Sequence, residues 1–320
     1  MLKNDVLFII IPCFNEEQVL TNAAQQLKQK LLLLVESGKV SPQSKILFVD
    51  DGSTDTTWDL ISDIHEKDNA FSGIRLATNA GHQNALLAGL YKASEICDVT
   101  ITIDADLQQD INAIESFLEK YYSGCDIVYG IRNTRKTDGI FKKTSALLFY
   151  KIMSILGVKI IKNHADYRLL SKKAILALKQ FKEVHLFLRG IIPAIGFKTD
   201  VVYFDVKDRF AGTSKYTLGK MISLALNGIT SFSVKPIRFI TLAGFLTFTI
   251  SLIISIYYLV QHFLGTIPLM QGWTTTVLSI WMIGGLQLLA IGIIGEYIGK
   301  SYFESKERPK FIIWEFLNKE

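Results

Sequence analysis

Through its first 130 residues the chain repeats one pattern. Short apolar runs at 6–11, 45–50, 73–77, 98–103 and 126–130 are separated by longer amphipathic stretches at 17–36, 55–67, 83–95 and 111–122. The runs suit buried strands and the stretches between them suit helices, so the rhythm predicts βαβ units, a mostly parallel sheet with helices on both faces. In such a sheet ligands lie beyond the carboxyl ends of the strands, which singles out the residues just after each run. The first run follows Asp5 and stops at Pro12. It is short for a signal-peptide core and lacks a small-residue cleavage site, so a first buried strand is expected. No internal repeat is visible.

Composition narrows the class. Of 320 residues 49% are hydrophobic, and Gly plus Pro stay low, which excludes disordered and collagen-like chains. A net charge of +5 is too small to argue for nucleic acid. Cys13, Cys97 and Cys125 have neither CxxC nor Cys/His metal spacing, so no disulfide framework or zinc site is expected, and a reducing, cytosolic setting fits.

Three run ends carry acidic or polar turns. After the first comes PCFNEE (12–17), and at the end of the second comes Asp50-Asp51-Gly52-Ser53-Thr54-Asp55. Asp51 could accept hydrogen bonds from a base or ribose, Gly52 permits the tight turn, and Ser53 to Asp55 can cap the next helix. Turn and cap chemistry alone is the plain alternative for Asp50, Asp51 and Asp55. The fourth run ends in Asp104-Ala105-Asp106-Leu107-Gln108. In extended chain Asp104, Asp106 and Gln108 would share one side, and two carboxylates with an amide oxygen suit a hard divalent cation that also holds a diphosphate. The fifth run leads into Gly130-Ile131-Arg132.

Residues 239–260 contain no formal charge, and neither do residues 273–295. Each matches the ~20 residues a membrane helix requires, so two transmembrane helices are expected. Lys235 and Arg238 precede the first stretch, Lys300, Lys306, Arg308 and Lys310 follow the second, and no Lys or Arg lies in 261–274. The positive-inside rule then places both chain ends in the cytoplasm. Between Tyr216 and Phe232 apolar residues recur at near-helical spacing, which suits an interfacial helix or one packed on the soluble domain.

Taken together, PCFNEE, FVDDGSTD (48–55), NAGHQNALLAGL (79–90) and DADLQ (104–108) resemble glycosyltransferase family 2, inverting enzymes with a GT-A catalytic fold. HADYRLLS (164–171), RFAGTSKY (209–216), ITSFS (229–233) and GEYIGKSYFESKERPK (295–310) sharpen the likeness to polyprenyl-phosphate glycosyltransferases. Among these it is most similar to the bactoprenol glucosyltransferases with two C-terminal membrane helices, and more distantly to dolichyl-phosphate mannose synthases. The likeness covers roughly residues 5–313. It departs at Gln109-Asp110-Ile111, where relatives usually carry an Asp-Pro-Pro turn, and at Ala165-Asp166-Tyr167-Arg168, where Gly-Asp-Phe-Arg is common.

The resemblance implies an α/β fold: a Rossmann-like GT-A catalytic domain at 1–213, a juxtamembrane amphipathic helix at 214–234, two transmembrane helices within 235–300 (about 237–260 and 273–297) and a cytoplasmic basic tail at 301–320. The implied location is the inner, cytoplasmic membrane, multi-pass, with the catalytic domain inside. The implied reaction is inverting transfer of a sugar, glucose first and N-acetylglucosamine next, from a UDP-sugar to polyprenyl (undecaprenyl) phosphate, for bacterial cell-surface glycan modification. Mannose and galactose stay open. Mg²⁺ or Mn²⁺ would be held by Asp104, Asp106 and Gln108. Donor contacts would come from Pro12, Phe14, Asn15, Glu16, Asp51, Gln83 and Asp104, with His82 either joining them or simply starting a helix. Arg132 matches the family's acceptor-phosphate arginine; Lys142, Lys143, Arg168, Arg209 and Lys215 are further candidates, although Arg168 could instead pair with Asp166. Asp104, Asp106, Arg132 and Asp166 form the expected catalytic set. The nucleotide sugar, the lipid phosphate and the membrane are the implied partners, with no nucleic acid; a homo-oligomer and a functional link to a separate flippase remain open. A processive polysaccharide synthase would carry QxxRW and more membrane helices, a nicotinamide enzyme would carry GxGxxG after the first strand, and a silent nucleotide-binding scaffold would bind without turnover.

Overall fold

The computed structural model describes residues 4–133, 164–183, 188–205 and 272–319, with scattered positions between 237 and 264. Two compact units are present. One comprises Met1–Tyr150, Lys159–Met221 and Pro309–Glu320, and the other Lys151–Val158 and Ile222–Arg308.

The first unit is built on an eight-stranded sheet. In chain order its elements are β1 (Leu7–Cys13), α1 (Glu17–Glu36), β2 (Lys45–Asp50), α2 (Thr57–Lys67), β3 (Phe71–Leu76), α3 (His82–Ala93), β4 (Val99–Thr102), α4 (Ala113–Tyr122), β5 (Ile127–Arg132), β6 (His164–Ser171), α5 (Lys172–Leu178), α6 (Leu188–Ala194), β7 (Thr199–Phe204) and, near the chain end, β8 (Ile313–Leu317). The strand order is β7-β5-β6-β4-β1-β2-β3-β8. β1, β2, β3 and β4 run parallel, as do β5 and β7; β6 is antiparallel to both its neighbours, and β8 is antiparallel to β3. The βαβ rhythm of the sequence is therefore the fold.

The central strands are apolar without alternation because helices cover both faces. Every residue of β1 is buried, and α1 buries Val19, Leu20, Ala23, Leu27, Leu31 and Leu34 against the sheet. α3 approaches more closely than a side chain would allow: a Cβ on Gly89 would stand 2.6 Å from Ile10 Cγ2 and 2.9 Å from Val49 Cγ2.

Two boundaries differ from expectation. β1 continues through Pro12 to Cys13. Ile103 donates its N–H to the Ile10 carbonyl, so residue 10, and by alternation residue 12, points its backbone toward β4, whose pairing with β1 ends at Ile10. The N–H that Pro12 lacks is thus not needed there. The second difference is the C-terminus. The segment expected as a basic tail carries β8, which pairs with β3 from Gly73↔Leu317 to Leu76↔Ile313 and closes that edge of the catalytic sheet.

In the second unit, α7 (Trp273–Ser305) is one helix of 33 residues with Ile280, Leu288, Ile291 and Ile298 exposed. The described positions 237, 240, 242, 244–246, 249, 250, 253, 256, 257 and 260 are also helical. Among the described residues no helix is long and apolar enough to cross a membrane. The uncharged stretch at 239–260 runs through positions outside them, whereas 273–295 lies within α7. The amphipathic stretch at 214–234 lies wholly outside the described residues.

Candidate active site

The loops after β1, β2 and β3 interlock at one end of the sheet. Register places Cys13 beside Asp50. Beyond them Asn15 adopts φ 53°, a left-handed conformation that asparagine tolerates better than most residues. Its N–H donates to Ser53 Oγ at 3.0 Å and its Oδ1 accepts from the Thr54 N–H at 2.9 Å. Glu16 donates its N–H to Thr57 Oγ1 at 2.9 Å. Gly52 has φ +66°, and a Cβ there would stand 2.7 Å from the Asn79 nitrogen, so only glycine lets this turn rest on the β3–α3 loop.

Asp51, expected to meet a base or ribose, braces that loop: Oδ1 accepts from Ala80 N–H at 2.7 Å and Oδ2 from Gly81 N–H at 3.0 Å. Asp50 is fully buried and accepts from the Ser53 N–H. Burial raises the pKa of both carboxyls, against hydrogen bonds that pull it down. Pro12 is buried inside β1, whereas the Phe14 ring is partly exposed and borders the loops.

The second half of the site comes from β4 and β6. Their antiparallel register pairs Thr102 with Arg168, so the chain leaving β4 and the chain entering β6 bring Asp104 and Asp166 to the same sheet end. β4 stops at Thr102 and the chain turns at Ala105-Asp106, with Leu107 at φ 47°. Strand alternation therefore does not set the positions of Asp104, Asp106 and Gln108; a turn does. Gln108 donates its N–H to Asp106 Oδ1 at 3.2 Å. Asp104 accepts from the buried Gln109 amide through Oδ2, and its Oδ1 lies 3.4 Å from His82 Nε2. Burial would lower the pKa of His82, but Asp104 and, farther off, Asp166 outweigh it and raise the pKa.

Asp166 sits between two arginines. Arg168 Nη2 bonds Oδ1, and Arg189 bonds Oδ2 through Nη2 at 2.9 Å. Burial alone would raise this carboxyl, yet Arg189 and then Arg168 hold it far below the usual carboxylate range. The Arg168 side chain is 2% exposed, and its Nε and Nη1 have no hydrogen-bond partner among the described residues. A residue expected among the phosphate ligands is thus an internal partner of Asp166. Gln83, expected at the donor, accepts through Oε1 from the Leu188 N–H at 3.0 Å and ties α3 to the start of α6. Arg132 stands exposed at the end of β5, beside Phe204 of β7. Lys142, Lys143, Arg209 and Lys215 lie outside the described residues.

Two participants were not read from the sequence as site residues. Gln109 was visible only as a departure from a family turn. Arg189 sits in an apolar stretch with no motif, and only the packing of α6 reveals it. Among the described residues no group of three or more His, Cys, Asp or Glu could hold a metal. Asp104 and Asp106 supply two carboxylates, with the Gln108 amide in the same turn. That is enough for Mg²⁺ or Mn²⁺ shared with a substrate diphosphate, since magnesium is commonly held by one or two carboxylates plus phosphate oxygens.

Polar loops at adjoining strand ends, the paired-acid turn and the arginine-held aspartate thus gather at one end of an open α/β sheet. The family model "Glycosyl transferase family 2" matches residues 8–178, and the chain belongs to that family. The glycosyltransferase YkoT of Bacillus subtilis (strain 168) is 53% identical over 308 residues, covering 96% of this chain and 91% of that protein. The bactoprenol glucosyl transferase of Shigella phage SfV is 36% identical over 307 residues, covering 95% and 97%. A solved glucosyl-3-phosphoglycerate synthase from Mycobacterium tuberculosis, in complex with Mn²⁺, UDP-glucose and phosphoglyceric acid, aligns at 15% identity with a TM-score of 0.42, over 71% of this chain and 78% of that one.

Proposed function

We propose that this glycosyltransferase moves a hexose, glucose first and N-acetylglucosamine next, from a UDP-sugar to undecaprenyl phosphate with inversion at the anomeric carbon. The observation that carries the proposal is the union, at one sheet end, of the Asp104/Asp106 turn with an Asp166 carboxylate locked between Arg168 and Arg189. The 36% identity to bactoprenol glucosyl transferases over 95% of the chain supports the acceptor class.

The chemistry fits this arrangement. An acceptor phosphate monoester has a second pKa near ~6, so its attacking oxygen is already anionic at neutral pH. No strong base is required, and Asp166, held so far below its usual range, is a poor proton acceptor. Asp166 instead serves as a fixed anion that orients Arg189. The phosphate oxygen forms a bond to the anomeric carbon while the bond from that carbon to the diphosphate oxygen breaks, and UDP departs with its electron pair. A bound Mg²⁺ or Mn²⁺ would neutralise charge on the departing diphosphate. Arg132 draws in the lipid phosphate, and the loops around Asn15, Gly52 and Gly81 hold the nucleotide.

Anchorage belongs to the same proposal. α7 contains the uncharged stretch at 273–295, which matches in length the ~20 residues a membrane helix requires. Its exposed Ile280, Leu288, Ile291 and Ile298 would be costly in water and are at home in lipid. With the uncharged stretch at 239–260 and the basic flanks, the sequence supports two spans with both termini on the cytoplasmic face.

The test supplies undecaprenyl phosphate, labelled nucleotide sugars and Mg²⁺ or Mn²⁺ to detergent-purified protein and follows label into the organic phase. UDP-glucose should label lipid, with Asp106→Asn and Arg132→Ala each reducing the rate about 10²-fold or more. Failure of every donor to label lipid, with nucleotide still bound, would overturn the acceptor assignment and favour a silent scaffold.

A further inference from the structure

β8 lies almost at the chain end, beyond the long helix α7, yet it reaches the edge of the nucleotide-binding loops. Its pairing with β3 is antiparallel, so its first residues meet the carboxyl end of β3, where the loops gather, while Leu317 and Asn318 lie at the opposite end. The register shifts between Arg75 and Leu76: Arg75 pairs with Glu315 and Leu76 with Ile313, which leaves Trp314 as the extra residue. A bulge of this kind re-aims a side chain. Here the Trp314 ring comes to 4.5 Å from the Arg75 guanidinium carbon, whose other neighbour is the Trp58 ring at 5.6 Å.

Arg75 leads inward. Its Nε lies 3.9 Å from Oδ2 of the fully buried Asp50, its register partner on β2. Asp50 accepts from the Ser53 N–H, and Ser53 Oγ accepts from the Asn15 N–H. A second connection runs beside it. The Ile312 carbonyl accepts from the Ala77 N–H, fixing the start of the loop whose Ala80 and Gly81 amides bind Asp51 and on which Gly52 rests. Both turns assigned to the donor are therefore reached from β8 through named contacts. The edge is also fastened away from the site: the Lys45 ammonium and the Ser72 hydroxyl both donate to Asn318 Oδ1, at 2.8 and 2.9 Å.

We propose that the C-terminal strand is a working part of the donor pocket, with Trp314 and Arg75 as positioning residues that hold the Asp50–Ser53–Asn15 turn in its nucleotide-binding shape. Neither side chain needs to touch the donor. The inference rests on the donor assignment made above and adds to it a strand that lies outside the 8–178 family match. It accounts for an arginine placed beside two tryptophans and a buried aspartate.

The experiment measures UDP binding by calorimetry on the full-length, detergent-purified protein, with melting temperature on the same samples. Trp314→Ala and Arg75→Lys should raise the Kd for UDP about three- to tenfold, the range a lost cation–π contact supports. Trp314→Phe, which keeps an aromatic face, should restore most of the affinity. In the lipid-labelling assay the same variants should raise KM for UDP-glucose and leave KM for undecaprenyl phosphate unchanged. Asn318→Ala loosens β8 at the far end and should lower the melting temperature without changing the Kd. Unaltered UDP affinity in both Trp314→Ala and Arg75→Lys overturns the inference and leaves the donor assignment standing. Equal weakening in Asn318→Ala overturns it in favour of general destabilisation. Parent protein that binds no UDP overturns the donor assignment and this inference together.

Discussion

Asp51 and Asp166 stand at strand ends of the same sheet and are held in opposite ways. Asp51 is nearly inaccessible and satisfied by two neutral backbone amides, and burial raises its pKa. Asp166 is satisfied by two guanidinium groups, and Arg189 and Arg168 overcome burial to press its pKa far down. One carboxylate shapes a loop; the other carries a permanent charge. The sheet supplies similar strand ends for both, so the partner decides the chemistry, and the partner comes from elsewhere in the chain. Asp51 is met by the β3–α3 loop and Asp166 by α6.

The largest expected effect breaks the charged half. Asp166→Ala leaves Arg168, 2% exposed, as a buried cation without its counter-ion, and losing one member of such a pair costs about 3 to 5 kcal/mol. Chemical or thermal unfolding in detergent should record that loss, together with lost transfer activity. Asp166 also gives acid sensitivity. Its folded pKa lies below the unfolded value near ~3.9, so its stabilisation is complete above that value and fades as pH falls toward the folded one. A stability profile of the Asp166→Ala variant should be flatter than the parent's on the acid side.

Asp51→Asn tests the neutral half and should do less. The amide oxygen can accept one of the two N–H groups, but its NH₂ faces the other, so one backbone donor is left unsatisfied at about 1 to 3 kcal/mol. Relief of the buried charge moves the expected value toward the lower end. The pH dependence has the reverse sign. A carboxyl whose folded pKa is raised favours the fold fully below its unfolded pKa, and that contribution is lost as pH rises through the folded value. Asp51→Asn should therefore lose less stability at neutral pH than near pH 4, and its Kd for UDP should rise as the β3–α3 loop relaxes.

What could be read from the sequence follows the same division. β1 through β5 and the helices between them were legible because each is continuous in the chain and fully patterned: apolar runs for strands buried on both faces, polar turns at their ends. The Asp104/Asp106 turn was legible for the same reason, although its geometry is a turn rather than the extended strand that alternation assumed. Arg189 was not legible. Its role is fixed by a contact 23 residues away, across the β6–α6 packing, and nothing in its own neighbourhood sets it apart. β8 was hidden by its setting, eight residues after the end of a basic-flanked apolar helix that draws the eye toward the membrane, and a short edge strand has too few residues to show a period. Arg168 was read both as a phosphate ligand and as a partner of Asp166, and the choice fell to the fold: whether an arginine on a strand faces solvent or the core depends on which neighbours pair with it.

The smallest effect separates burial from charge pairing. Glu115 repeats the arrangement of Asp166, one carboxylate between two cations, with Lys30 and Lys39 in place of the arginines and a side chain 40% exposed. The two lysines hold its pKa at about 2. Exposure changes what that is worth. Solvent and salt reach the carboxylate and Lys39, although Lys30 is only 8% exposed, so Glu115→Gln, which keeps an acceptor beside Lys30, should cost about 1 kcal/mol or less. The loss should shrink further in 1 M salt, where the Debye length falls to about 3 Å, whereas the cost of Asp166→Ala should hardly change. The direction with pH is that of Asp166: stabilisation present above the unfolded glutamate value near ~4.3 and lost as pH falls through about 2. Equal salt sensitivity in the two variants would mean that Asp166 is reached by solvent, and its use as a fixed internal anion would then have to be abandoned. A salt effect confined to Glu115 would mean that the same charge pattern does two different jobs according to depth, fastening α4 to α1 at the surface and fixing an electrostatic centre at the site.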